Sequence, residues 1–157
     1  MAEPLADIVI HKIEQAAELY HRLVLLVAPA GSGKTAVLLD VHKCAAAPCI
    51  NINLELSRRM LDLTERQRAL QIPRLLLDIV GEDPVVLLDN MEILFDVSLK
   101  LDPLRLLQGL SRNRTVVAAW SGSIIGENLV YAAPDHPEYK RYPVQDLLVV
   151  SPEAIAW

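Results

Sequence analysis

Residues 23–46 read LVLLVAPAGSGKTAVLLDVHKCAA and carry the strongest fold signal in the chain. The apolar run 23–27 predicts a strand that is covered on both faces, as in a parallel sheet. A glycine-rich loop follows, and residues 36–46 then show the apolar spacing of a helix. Because strand, loop and helix in this order begin a βαβ unit, the segment indicates an α/β fold.

The loop, APAGSGKT at residues 28–35, matches G-x-x-x-x-G-K-[ST] except that Ala28 replaces the first glycine. An alanine fits there if its φ angle is negative. Gly31 and Gly33 allow a turn that aims successive backbone N–H groups at phosphate oxygens, and the helix N-terminus beyond favours the same charge. The loop therefore predicts a nucleoside triphosphate site, whereas the alternative is a glycine-rich turn with an exposed lysine.

Each side chain of this loop has an expected role. Lys34 is predicted to reach the β- and γ-phosphates, and Thr35 to place its hydroxyl on Mg²⁺. The nucleotide, taken as ATP, is expected to contact the loop and the start of the helix: Pro29, Ala30, Gly31, Ser32, Gly33, Lys34, Thr35 and Ala36.

Length and composition predict a single domain over residues 1–157, since 52% of the chain is apolar and no room is left for a separate lid domain. Residues 1–21 are expected to form an amphipathic helix packed on this domain, with Val9, Ile13, Ala16 and Tyr20 at helical spacing. No apolar run reaches the roughly 20 residues of a membrane helix, and no basic segment precedes the first apolar residues. We therefore expect a cytoplasmic protein without membrane contact.

The cysteines and histidines predict neither a disulfide nor a metal centre. Cys44 and Cys49 fit neither a C-x-x-C motif nor a disulfide framework, so two reduced and mostly buried thiols are expected. The histidines lack paired ligand spacing and are assigned no metal: His11, His21, His42 and His136.

Strands and helices alternate along the rest of the chain. Further strands are predicted at residues 49–54, 85–89, 115–120 and 146–150. Helix signals are Ser57 as a cap, Thr64 with Gln67 as a capping box, Pro73 as a kink or new turn, Gly81 as a stop, and Asp102 with Pro103 as a start. The expected architecture is a three-layer P-loop NTPase fold with a mainly parallel five-stranded sheet, of the class with an additional strand between its two nucleotide motifs.

Asp89 ends the apolar run VVLLD at residues 85–89. Open α/β sheets bind ligands at the carboxyl ends of their strands, where a carboxylate is suited to hold Mg²⁺ beside Thr35. This is the role of a Walker B aspartate. The alternative is a buried strand that ends in an acid without a metal role.

The residue after Asp89 is Asn90, where many P-loop ATPases have a glutamate that orients the attacking water. An amide cannot act as a general base. Glu55, just past the second predicted strand, and Glu92 are the candidates for that task, although each also fits an ordinary surface acid. Three interpretations stay open: hydrolysis through another carboxylate, slow hydrolysis, or a binding switch.

Ser121 and three arginines complete the candidate site. Ser121 ends the predicted strand 115–120, where a polar residue would contact the γ-phosphate or the attacking water, but it also suits a turn in SGS. Arg141, Arg112 and Arg114 are candidates to stabilise the transferring phosphoryl group, and Arg141 has the favoured position between the last two predicted strands of the parallel sheet. Solvated arginines are the alternative for all three.

The net charge of −5 argues against general attraction to nucleic acid. A local excess of positive charge nevertheless lies in residues 58–74. It fits a solvated helix face, or a surface that binds DNA or a partner, through Arg58, Arg59, Arg66, Arg68 and Arg74.

The segments LLVAPAGSGKT, NINLELS, LLDNMEILF and QDLLVV together resemble the BrxF family, small P-loop proteins of type 3 BREX phage-defence systems. The resemblance covers nearly the whole chain, and the asparagine after the aspartate in LLDNMEILF is its more specific part. It implies a cytoplasmic, ATPase-like component of a multi-protein complex that protects host DNA, with other defence proteins as partners and possible self-association.

Three functions are thus compatible with the sequence. The first is an ATPase or ATP-dependent switch within a complex, and the second is a nucleotide-binding assembly module with negligible hydrolysis. The third, a small-molecule kinase, ranks lower. A kinase needs an arginine-bearing lid, and residues 124–142 contain only Lys140 and Arg141 as basic side chains apart from His136.

Overall fold

The computed structural model describes residues 4–151. Its helices are α1 (Leu5–Ala16), α2 (Lys34–Ala45), α3 (Ile52–Arg59), α4 (Glu65–Val80) and α5 (Pro103–Leu110). Its strands are β1 (Leu23–Ala28), β2 (Cys49–Asn51), β3 (Val85–Asp89), β4 (Thr115–Ser121), β5 (Ser123–Ile125), β6 (Asn128–Tyr131), β7 (Lys140–Pro143) and β8 (Leu148–Val150). Residues 1–3 and 152–157, the ends of the predicted domain, lie outside the described residues.

The main sheet has five strands in the order β2-β3-β4-β1-β8, and its strand pairs are parallel. This arrangement confirms the predicted α/β fold with a mainly parallel five-stranded sheet. The strand β4 lies between β1, which leads into the glycine-rich loop, and β3, which ends in Asp89. Consequently the carboxyl ends of β1, β4 and β3 lie side by side at one edge of the sheet.

Apolar side chains cover both faces of this sheet. One core includes Val24 and Leu26 of β1 with side chains of α1 and α2, and the other includes Leu25 and Val27 with side chains of α3, α4 and α5. All six residues of β1 are buried, as the continuous apolar run predicts. Ala28 has no positive φ angle, so a methyl group is tolerated at the end of the strand.

The second predicted strand, residues 49–54, is partly wrong. The strand β2 stops at Asn51. The Asn51 side chain accepts a hydrogen bond from the Leu54 backbone N–H at 3.0 Å and so caps α3, which begins at Ile52. An asparagine N-cap therefore prevails over the alternating pattern that favoured a longer strand. Ser57 lies inside α3 and does not cap a helix.

The later helix signals agree with the structure except at Pro73, which begins no new turn because α4 runs through it. Thr64 and Gln67 form both hydrogen bonds of a capping box at the start of α4. Pro73 lies inside α4, which continues to Val80 and ends before Gly81. Asp102 caps α5, and Pro103 is its first residue.

Residues 123–143, for which no strand is predicted, form a second sheet of three antiparallel strands, β5-β6-β7. Aromatic contacts attach it to the body: Tyr131 stacks on Phe95 with ring centroids 3.6 Å apart, and Trp120 Nε1 donates to the Val130 carbonyl at 3.2 Å. The Phe95 contact comes from a distant part of the chain, so local sequence patterns do not reveal how this sheet attaches to the body.

Three smaller expectations differ from the structure. The last strand of the main sheet begins at Leu148, because Asp146 has a positive φ angle of 65°. Cys44 is exposed on α2, and Cys49 is half-buried, so the prediction of two mostly buried thiols is wrong for Cys44. Tyr20 lies beyond the end of α1 and is exposed.

None of the helices within residues 4–151 has the length and apolarity required to cross a membrane.

The glycines of the small sheet provide a test of this attachment. A Cβ atom at Gly122 would lie 2.0 Å from the Val130 carbonyl oxygen, whereas one at Gly126 meets nothing within 4 Å, although its φ angle is 61°. We expect Gly122→Ala to displace β6 and alter the fluorescence of Trp120. Gly126→Ala should cost only about 1–2 kcal/mol of backbone strain and leave that fluorescence unchanged. Urea unfolding followed by tryptophan emission measures both, in a Trp157→Phe background that leaves Trp120 as the one tryptophan. Equal spectra for the two variants would contradict the packing described.

Candidate functional site

The glycine-rich loop connects β1 to α2 and has the backbone geometry that its sequence predicts. Gly31 and Gly33 have φ angles of 76° and 98°, in the left-handed region that glycine adopts without a Cβ penalty. The helix α2 begins at Lys34, and no side chain caps its N-terminus. Its first backbone N–H groups are therefore available to an anion.

The Lys34 side chain is buried and folds back over the end of β1. Its Nζ atom donates to the carbonyl oxygens of Ala28 and Pro29, each at 2.9 Å. Burial lowers the pKa of Lys34 from its ordinary value, and the nearby carboxylates of Glu92 and Asp89 oppose that shift. Both carbonyls also accept backbone N–H groups, from Gly122 and Ser32. If the ammonium moved away, both carbonyl oxygens would therefore still accept a hydrogen bond.

Thr35 and Asp89 are brought into direct contact. The Thr35 hydroxyl donates to Asp89 Oδ2 at 2.6 Å, although 54 positions separate them in sequence. The second carboxylate oxygen, Oδ1, accepts the Asn90 backbone N–H at 2.9 Å. Asp89 is 6% exposed. A hydroxyl and a carboxylate that converge in this way are oxygen ligands of the kind that Mg²⁺ prefers.

Asn90 adopts a left-handed conformation with a φ angle of 49°. Asparagine tolerates this region better than most residues that carry a Cβ atom. The turn at Asn90 leads into a short 3-10 helix, Glu92–Phe95, whose first residue faces back toward the loop. The chain thus places the Glu92 carboxylate beside the loop.

Two side chains hold the Glu92 carboxylate. The Ser121 hydroxyl donates to Oε1 at 2.9 Å, and the Asn53 amide donates to Oε2 at 3.0 Å. Asn53 is itself fixed, because its Oδ1 accepts the Ile93 N–H at 2.9 Å and its own N–H donates to the Asn90 carbonyl at 2.7 Å. The carboxylate therefore has a defined orientation.

Asn53 is not among the predicted site residues, because the alternating pattern places it inside a predicted strand. The signal was present: Asn51 is a cap residue three positions before Leu54, so a helix start there would have put Asn53 at the carboxyl edge of the sheet.

One cavity collects most of the predicted site residues. Among the predicted catalytic and metal-binding residues, it is lined by Lys34, Thr35, Asp89, Asn90, Glu92 and Ser121. Ala30, Gly31 and Gly33 supply its backbone wall. The other predicted contacts, Pro29, Ser32 and Ala36, belong to the same loop and helix start but do not line this cavity.

Glu55 and Arg141 are not brought to this cavity. Because α3 begins at Ile52, Glu55 lies within a helix, where it pairs with Arg58 at 3.5 Å and Arg59 at 3.9 Å. Arg141 lies on β7 opposite Val130.

The remaining candidate arginines have other neighbours. The Arg112 guanidinium lies over the Tyr20 ring, and Arg114 donates to the Leu110 carbonyl at 2.7 Å. In the basic stretch, Arg68 donates to the Leu63 carbonyl, while Arg66 and Arg74 are exposed on α4. With Arg58 and Arg59 paired to Glu55 on α3, the five arginines of this stretch have three different environments.

Comparisons with known proteins add little to this geometry. No protein-family model matches the chain, and no curated protein matches it. Among solved structures, the chain is similar to PCH-2 of C. elegans, with 15% identity and a TM-score of 0.34. The match covers 94% of this chain and 40% of the PCH-2 chain, so the chain spans well under half the length of that structure. We draw no functional argument from a likeness of this degree.

The left-handed turn at Asn90 predicts that glycine at this position is tolerated better than alanine. We expect Asn90→Gly to leave the free energy of unfolding near the wild-type value, because glycine adopts this φ angle freely. Asn90→Ala should cost about 1–2 kcal/mol. Urea titrations compare the two variants, and an alanine variant as stable as the glycine variant would contradict the backbone geometry at residue 90.

Proposed function

We propose that the chain is a P-loop nucleoside triphosphatase of the additional-strand class, which binds ATP with Mg²⁺ and hydrolyses it to ADP and phosphate. The observation that supports this most is the convergence of Lys34, Thr35, Asp89 and Glu92 on one cavity beside a glycine-rich loop. The position of β4 between the two motif-bearing strands supports the class.

Phosphate binding would use the loop backbone and Lys34. The left-handed glycines and the uncapped start of α2 present N–H groups to phosphate oxygens. Lys34 would exchange its two carbonyl acceptors for the β- and γ-phosphates, a strong charge-assisted contact that also relieves an ammonium held in a buried position.

Thr35 and Asp89 would hold the metal ion. Their oxygens already lie within 2.6 Å of each other, and Asp89 is oriented by the Asn90 N–H. Held there, Mg²⁺ would supply positive charge that offsets the negative charge developing on the phosphates during transfer.

Glu92 would orient and deprotonate the attacking water. As the water oxygen bonds to the γ-phosphorus, the Glu92 carboxylate accepts a proton, and the bond to the β–γ bridging oxygen breaks to release ADP. Each Glu92 oxygen receives one hydrogen bond, from Ser121 or Asn53, and keeps a lone pair for the water. Glu92 would thereby take the role of the glutamate that many P-loop ATPases have at the position of Asn90.

Hydrolysis by the isolated chain should be slow. Within residues 4–151, no arginine lines the cavity, and the candidates Arg112, Arg114 and Arg141 lie elsewhere. An arginine supplied by a neighbouring subunit raises such rates by about 10³–10⁵. This fits the proposal, drawn from the resemblance to the BrxF family, that the chain works in a cytoplasmic multi-protein phage-defence complex.

The assignment of Glu92 as the general base predicts that substituting Glu92, but not Glu55, lowers turnover. Glu92→Gln should keep ATP affinity within about threefold and reduce turnover by about 10²-fold or more, because the amide cannot accept the proton. Glu55→Gln, the matched control on α3, should change neither. Phosphate release and fluorescent-nucleotide binding measure the two properties. Loss of turnover in the Glu55 variant alone would contradict the assignment, whereas tight binding without any wild-type turnover would favour an assembly module.

Lys34→Met should abolish ATP binding without lowering the free energy of unfolding, because the Ala28 and Pro29 carbonyls keep backbone donors.

The lowered pKa of Lys34 also predicts how the free energy of unfolding changes with pH. Between the lowered pKa of the folded state and the ordinary lysine value, the unfolded chain binds more protons, so wild-type stability rises with pH relative to the variant. Denaturation at several alkaline pH values checks this, and a variant less stable than the wild type at neutral pH would contradict it.

A further inference from the structure

A shallow apolar groove lies between α4 and α5, away from the nucleotide cavity. Pro73 and Leu77 form one wall, and Leu106 and Gly109 lie on the other. None of these residues lines the nucleotide cavity. The groove is therefore a separate feature of the molecule.

The wall on α4 belongs to a longer exposed stripe. Arg66, Leu70, Pro73 and Leu77 follow one another at helical spacing, and Leu70 and Leu77 are 73% and 49% exposed. Its apolar part, from Leu70 to Leu77, extends about 10 Å, which is two helical turns, and Arg66 lies one turn before it. Beyond Leu77 it continues to Tyr20, which is 68% exposed. A contiguous exposed apolar strip of this kind marks a binding surface.

Gly109 keeps the groove open. It lies inside α5 without a positive φ angle, and a Cβ atom added there would meet no atom within 4 Å. A glycine in a helix interior costs roughly 1 kcal/mol relative to alanine. Neither the backbone conformation nor a close contact requires a glycine at this position. The absence of a side chain instead leaves space in the groove that Gly109 lines.

Positive charge surrounds this groove. Arg105 lines the groove itself, Arg112 lines the hollow that adjoins it at Leu77 and Gly109, and Arg66 lies farther along α4 beside Leu70. Within the described part of the chain, none of the three arginines pairs with a carboxylate, and Glu65 is the one acid among the lining residues. The chain as a whole has a net charge of −5, so this basic rim is a local exception.

We propose that the groove binds an acidic amphipathic helix of a partner protein. Apolar side chains of that helix, three to four residues apart, would pack along Leu70, Pro73 and Leu77 over Gly109, as in other helix-in-groove complexes. Its flanking carboxylates would pair with Arg66, Arg105 and Arg112. The apolar floor favours such a helix over DNA, which offers phosphates but no matching apolar stripe.

The test uses two labelled synthetic peptides of about 15 residues, four helical turns. Both contain the same leucines, glutamates and alanines, but only one arranges the leucines at helical spacing along one face. By fluorescence anisotropy with the full chain, we expect saturable binding of the amphipathic peptide, at least about tenfold tighter than the scrambled one and weaker at high salt.

Variants at the groove distinguish docking from general attraction. Gly109→Phe fills the groove and should weaken binding by about tenfold or more. Gly109→Ala is the graded comparison, because its single methyl group should stabilise α5 and weaken binding by less than Gly109→Phe does. The charge reversal Arg105→Glu should also weaken binding, whereas Lys34→Met should leave peptide binding intact, so this proposal and the nucleotide proposal fail independently.

Several outcomes would overturn the proposal. They are no binding of the amphipathic peptide at about millimolar concentration, equal binding of the scrambled peptide, or wild-type affinity in Gly109→Phe. Binding of a short duplex DNA that Arg105→Glu abolishes, without peptide binding, would assign the surface to nucleic acid. Self-association that Gly109→Phe abolishes in sedimentation experiments would instead assign it to a second copy of the chain.

Discussion

The hydrogen bond from Thr35 to Asp89 is the contact on which the rest of the site depends. It forms because β1 and β3 run parallel and flank the single strand β4, so that their carboxyl ends reach the same edge of the sheet. The loop after β1 then places Lys34 beside this pair, and the turn after β3 brings Glu92 to it. The register of three buried strands thus assembles residues that are distant in sequence.

Asn90 explains how a site without a glutamate next to its aspartate retains a carboxylate. Its left-handed conformation suits asparagine and would strain a glutamate by about 1–2 kcal/mol. The turn delivers the carboxylate two residues later, at Glu92, where Ser121 and Asn53 hold both oxygens. The asparagine at residue 90 and the position of Glu92 are therefore two parts of one local geometry.

Sequence patterns predicted the parts of the structure that depend on local chemistry or on buried strands. The glycine-rich loop, the β3 strand that ends in Asp89 and the capping box at Thr64 all belong to this group. The helix start at Ile52 was missed, because an alternating CININL pattern competed with the cap at Asn51, and Glu55 was misplaced with it. The small antiparallel sheet escaped prediction since its attachment depends on long-range contacts such as Phe95 on Tyr131.

A crystal structure with a non-hydrolysable ATP analogue and Mg²⁺ would show directly whether these residues form a nucleotide site. We expect the phosphates to lie on the glycine-rich loop and the metal ion to lie beside the Thr35 hydroxyl and Asp89. We also expect the Lys34 ammonium to have left the Ala28 and Pro29 carbonyls for the phosphates. A complex in which Lys34 keeps both carbonyls and the nucleotide lies elsewhere would contradict it.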